Sequence, residues 1–104
     1  MIRIECRVRQ GALCGFRIAG HAGAGQAGED IVCAAVSSAA YMAANTITDV
    51  LLLPADITVR DGYMELTVTG ELAPCQAVLS GFRLHMQAMQ EQYPERVHLK
   101  ITEV

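Results

Sequence analysis

Ile2-Arg3-Ile4-Glu5-Cys6-Arg7-Val8-Arg9 puts an apolar side chain at every even position and a charge at every odd one. Successive side chains of an extended strand point to opposite faces, so this period of two predicts a strand with one face buried and the other wet. Cys14, Phe16 and Ile18 repeat the pattern after the turn signal Gln10-Gly11, and two antiparallel strands are therefore expected to open the fold.

Beyond that hairpin the period changes. After a glycine-rich segment, Asp30 is the best helix N-cap candidate in the chain, and Val36, Ala40, Ala43, Ile47 and Val50 or Leu51 make a helical stripe in an alanine-rich run that Pro54 is expected to end. Ile57 and Val59 lead into Arg60-Asp61-Gly62-Tyr63, and Met64, Leu66 and Val68 follow. Asp-Gly between short β-prone runs predicts a second hairpin. Pro74 is tolerated in a first helical turn, and Cys75, Val78, Leu79, Phe82, Met86 and Met89 recur at spacings of three and four as far as Tyr93-Pro94. Val97, Leu99 and Ile101 supply a last strand. The order ββαββαβ predicts an α+β two-layer sandwich, a mainly antiparallel sheet with two helices on one face.

With 104 residues the chain is read as one domain, 1–104, and 52% hydrophobic residues suit a single packed core. The formal charge of −3 offers no basic field for phosphate contacts, which argues against direct nucleic-acid binding and against polybasic membrane attachment. No uninterrupted apolar run, Val50 to Leu53 included, is long enough to span a bilayer. Charges at Arg3 and Glu5 interrupt any export signal at the N-terminus, so a soluble cytoplasmic protein is expected. Cysteines 6, 14, 33 and 75 include no CxxC pair and are read as thiols.

Gly20-His21-Ala22-Gly23-Ala24-Gly25-Gln26-Ala27-Gly28-Glu29-Asp30-Ile31-Val32-Cys33 departs from what a core requires. Four glycines in the nine residues from Gly20 to Gly28 raise the entropy lost on folding, a cost tolerated where a loop moves or a ligand approaches the backbone. A histidine ends the strand before this loop. With Asp30 at N-cap, Cys33 falls at the third helical position, where unpaired amides and the helix dipole favour a thiolate. An imidazole in reach takes the thiol proton, which is the activation a nucleophilic cysteine needs. Glu29 and Asp30 oppose a second negative charge there, so His21 decides the thiolate fraction. The plain alternative is that Cys33, like most buried cysteines, is a small hydrophobe. Cys6, Cys14 and Cys75 fit that alternative well, since they fall on inward strand faces or on the helix stripe. His85 and His98 have no context that argues for a ligand role.

Two other chemistries compete with the dyad. Gly23-Ala24-Gly25-Gln26-Ala27-Gly28 matches GxGxxG, but a pyrophosphate would face Glu29 and Asp30, and the preceding strand belongs to a hairpin. A zinc ion on His21 and Cys33 needs a third protein ligand, for which Asp30 is the only obvious candidate. No metal or cofactor is expected.

Gly20-His21-Ala22 followed by Gly28-x-Asp30-Ile31-Val32-Cys33-Ala34-Ala35-Val36-Ser37 resembles the signature of the Prp family, the ribosomal-processing cysteine proteases of bacteria. The likeness runs on through Asn45, the central hairpin and Glu91-x-Tyr93. It implies a small homodimeric cysteine endopeptidase that removes the N-terminal extension of a large-subunit ribosomal protein, number twenty-seven. It also implies Cys33 as nucleophile, His21 as base and Gly20 as the pivot of a loop that opens to admit the peptide. Asp30 and Ser37 fall on positions the family keeps: Asp30 to cap the helix and orient His21, Ser37 to face the same cleft. Family members often carry an aromatic residue in the loop where this chain has Ala24 and Ala27, which implies a looser lid. The rival from another class is a non-catalytic ribosome-assembly or binding module of the same fold.

Overall fold

The computed structural model describes residues 1–21 and 30–104. Its elements run β1 (Ile2–Arg9), β2 (Ala12–Gly20), α1 (Ile31–Asn45), a π-helical turn (Thr46–Val50), β3 (Ala55–Arg60), β4 (Tyr63–Val68), a 3-10 turn (Ala73–Cys75), α2 (Gln76–Gln92) and β5 (Val97–Glu103). The predicted ββαββαβ order is the order found.

The five strands are arranged β3-β4-β2-β1-β5, antiparallel throughout except that β5 lies parallel to β1 with Val97 opposite Ile2. Gln10 and Gly11 both have positive φ, 50° and 80°, the tight geometry whose twist matches that of the strands it joins. Where β1 pairs with β2, Arg7 faces Gly15 and Val8 faces Leu13, so Cys14 is the extra residue of a bulge. The Cys14 thiol donates to the Arg7 carbonyl at 3.5 Å, and the Gln76 amide grips both the N–H and the carbonyl of Leu13, fixing the start of α2 on this bulge.

Both helices cover one face of the sheet. Ile2, Ile4, Cys6, Phe16, Ile18, Met64, Leu66 and Val68 point into the same core as Val32, Val36, Ala40, Ala43 and Ile47 of the first helical segment and Leu79, Phe82, Met86 and Met89 of α2. Phe16 and Phe82 stack with ring centroids 4.3 Å apart, joining sheet to helix. On the opposite face the charged positions pair with one another: Arg7 Nε lies 2.8 Å from Glu5, Arg7 Nη1 lies 2.7 Å from Glu65, and Lys100 lies 3.5 Å from Glu5.

The first helix departs from expectation at its end. The stripe holds as far as Ile47, but Val50 and Leu51 are exposed, because the chain widens into a π-type turn closed by Leu51 N–H to Thr46 O at 2.8 Å and rotates those residues off the core. Leu52, in the left-handed region at φ 56°, then reverses the chain before Pro54 is reached. Ile31–Val50 is long and apolar enough to cross a membrane by length and composition alone, although no single uninterrupted apolar run shows it. Its apolar face is occupied by the sheet, and its other face carries Ser37, Ser38 and Asn45.

Candidate active site

Asp30 is the N-cap of α1, its Oδ1 accepting the Cys33 N–H at 2.9 Å. Ile31 is thus the first helical residue and Cys33 the third, as the sequence predicts. The Asp30 carboxyl is held below its usual range, first by the backbone amide of Cys33 and then by the Cys33 side chain. A half-buried Cys33 and an exposed Ser37 follow one helical turn apart on the same flank.

His21 enters from the sheet. Gly20, with φ at 98°, turns the end of β2, and its N–H donates to the Gly62 carbonyl at 2.9 Å. The His21 carbonyl accepts the Met1 ammonium at 2.6 Å, so the histidine backbone is held from two sides. Its side chain is 64% exposed, and Nε2 lies 3.9 Å from the Asp61 carboxylate.

These elements enclose a cavity of about 260 Å³. Ile2, Ile18 and Gly20 form its floor, Cys33, Val36, Ser37, Ala40 and Tyr41 one wall, and Val59 to Met64 of the β3–β4 hairpin the other. His21 stands at this cavity with Cys33, Gly20 and Ser37, so four of the five predicted site residues converge. Asp30 lies outside the lining, engaged with Cys33. The acid nearest His21 among the described residues is Asp61, which the sequence presents only as half of a turn signal. Tyr41 and the Tyr63 ring, over which Arg60 stacks at 3.7 Å, are further lining residues that sequence reading missed. The expectations for the glycine loop, including Gly23 to Gly28 with Ala24 and Ala27, fall outside the described residues, as does Glu29.

The remaining cysteines are poor nucleophiles by environment. Burial pushes the Cys6 thiol up to about 11, against a small opposing pull from Arg83, and burial also raises Cys75, whose Sγ donates to Leu72 O at 3.1 Å. Among the described residues no three His, Cys, Asp or Glu side chains gather closely enough to hold a metal ion.

Residues 1–98 match the family described as cysteine protease Prp. The chain belongs to the Prp family. Membership separates the protease from the binding module of the same fold: this is a cysteine protease. Solved structures agree in fold over the whole chain. SMU.848 from Streptococcus mutans is 30% identical with a TM-score of 0.81, the match covering 100% of this chain and 96% of that one. The essential ribosomal processing protease Prp from S. aureus, in complex with a covalently linked product peptide, is 25% identical with a TM-score of 0.87 over 100% of both chains. The same S. aureus protease with a substrate peptide is 26% identical with a TM-score of 0.84, over 97% of this chain and 99% of that one. No curated protein matches the chain.

Proposed function

We propose that this Prp-family protease removes the N-terminal extension of a large-subunit ribosomal protein, number twenty-seven, with Cys33 as nucleophile and His21 as base. The observation that carries the reading is the cavity in which a cysteine on the first turn of α1 and a histidine at the end of β2 face one space. The likeness to a ribosomal processing protease that has been solved with substrate and product peptides supports the substrate class.

In this mechanism His21 takes the proton of the Cys33 thiol, and the thiolate adds to the scissile carbonyl carbon. Collapse of the tetrahedral intermediate breaks the C–N bond as His21 returns the proton to the leaving amine, giving a thioester on Cys33. A water that gives its proton to His21 then attacks the thioester, releasing the acid and restoring the thiol. First-turn amides are the expected oxyanion donors, but those of Cys33 and Val32 already serve the Asp30 carboxylate. Those two N–H groups are therefore already committed when the oxyanion forms. Ser37 faces the peptide from the next turn of the helix, and Gly20, at the end of β2, is the pivot that sets His21 at the site. The enzyme acts as a homodimer in the cytoplasm, where its substrate is made.

The test is direct. A synthetic peptide spanning the extension and first residues of the organism's own ribosomal protein is incubated with enzyme and followed by mass spectrometry. Cleavage at a single bond by the wild type, and none by Cys33→Ala of unchanged melting temperature, is expected. Full cleavage by Cys33→Ala overturns the nucleophile.

A further inference from the structure

The Asp61-Gly62 turn stands at the cavity beside His21, and three contacts tie the two together. The Gly62 carbonyl holds the N–H of Gly20, the residue immediately before the histidine. A Cβ on Gly62 would lie 2.8 Å from His21 Nε2, 3.3 Å from Cε1 and 3.4 Å from Cδ2, so the imidazole rests across a bare Cα. The Asp61 carboxylate lies 3.9 Å from the same Nε2, about 1 Å beyond hydrogen-bond distance.

We infer that the Asp61-Gly62 turn is the positioning element of the catalytic histidine: Gly62 keeps clear the space in which the ring lies, and Asp61 is the acceptor toward which Nε2 is aimed. The inference rests on the reading of His21 as the base. Asp30, the acid that the family resemblance suggests for orienting His21, is engaged with the N–H and side chain of Cys33 instead. The other titratable groups at the cavity are Cys33 and Tyr41 on α1, Arg60 on β3 and Tyr63 on β4. Arg60 is turned over the Tyr63 ring, and the Met1 ammonium bonds the histidine backbone and not its ring.

The φ of 67° at Gly62 already disfavours a side chain, so any Gly62 variant carries a backbone cost as well as a contact with His21. Gly11 separates the two effects. It occupies the other tight turn at φ 80°, and a Cβ there meets nothing within 4 Å. Gly62→Ala and Gly11→Ala therefore share the backbone strain, and only the first pushes the imidazole.

Both variants are compared with wild type by thermal denaturation, by kcat and KM on the peptide substrate, and by the rate at which iodoacetamide alkylates Cys33. The two should lose similar stability. Gly62→Ala should lose kcat by on the order of 10²-fold with little change in KM, as displacement of a catalytic group by about 1 Å does, while Gly11→Ala keeps wild-type kcat. Equal kcat in the two variants overturns the inference. Asp61 gives a second arm that does not depend on the folding of a glycine variant: Asp61→Ala should lower kcat, and Asp61→Asn, which keeps an oxygen acceptor in place, should restore most of it. An Asp61→Ala enzyme with wild-type kcat overturns the role of Asp61. Failure here is distinguishable from failure of the dyad, because the dyad falls only if Cys33→Ala or His21→Ala remains active.

Discussion

Replacing Gly20 probes fold and site together, because two separate costs converge on one atom. The residue has φ at 98°, where an L side chain costs about 1–2 kcal/mol. A Cβ there would lie 2.4 Å from the Met1 carbonyl oxygen, and real Cβ atoms essentially never come closer than 3.0 Å to such a neighbour. The obstacle is backbone, so relief requires a shift at the start of β1 or the end of β2, a form of overpacking worth about 1–3 kcal/mol. Together Gly20→Ala should lose about 2–5 kcal/mol, a large part of the roughly 5–15 kcal/mol that holds a domain of this size. At about 4–8 °C per kcal/mol the melting temperature should fall by on the order of 8–40 °C, and Gly20→Val should fall further. Cleavage by the fraction still folded should drop as well, since His21 is the next residue. A pivot role alone would make valine here harm turnover more than folding; the Met1 carbonyl makes both losses large. The assay is thermal denaturation by circular dichroism alongside peptide cleavage below the transition. A Gly20→Val protein melting within about 4 °C of wild type refutes the steric argument.

His21→Ala should slow both peptide cleavage and the alkylation of Cys33 near neutral pH, because the imidazole is the proposed acceptor of the thiol proton; unchanged alkylation removes it from that role. Cys6, Cys14 and Cys75 are buried and should alkylate only after denaturation, and peptide mapping that finds any of them as fast as Cys33 contradicts the core packing. Glu5 is held below the usual carboxylate range, mainly by the Arg7 hydrogen bond, so its contribution is present above the ordinary value near ~4.3 and lost as pH falls through the lowered folded value. Glu5→Gln should therefore cost about 1 kcal/mol at neutral pH, with a gap to wild type that narrows in acid; denaturant titrations showing a gap constant down to strongly acid pH contradict this.

Periodicity made β1, β2, β4 and α2 legible, because each buries one face and that burial imposes its period on the residues. Asp30 was legible as a cap for a local reason, a side chain reaching an amide three residues on. What was hidden depends on register and neighbours. Alternation in Val97, Leu99 and Ile101 marks a strand but does not tell that β5 pairs with β1 at an edge, where Ile101 is left 51% exposed. The π-type turn at Thr46–Val50 carries no proline or glycine to announce it. His21 and Asp61 meet because Ala19 pairs with Tyr63, a long-range register that no window of sequence contains. The same register explains why the Asp61-Gly62 turn reads as a hairpin signal alone until the sheet is assembled.

The parallel pairing of β1 with β5 also sets an order of events in time. The two hairpins close over two-residue turns, a step of about 1–10 μs, and both need only residues already near in the chain. β1 must then wait for a partner whose first residue, Val97, comes 95 positions after Ile2. During synthesis at about 5–20 residues per second that interval is several seconds, in which one edge of β1 presents unpaired N–H and C=O groups to whatever else is nearby. Arg3 and Arg9 keep that strand charged, Arg7 being paired with Glu5 and Glu65, and this disfavours pairing with a second nascent copy until β5 arrives.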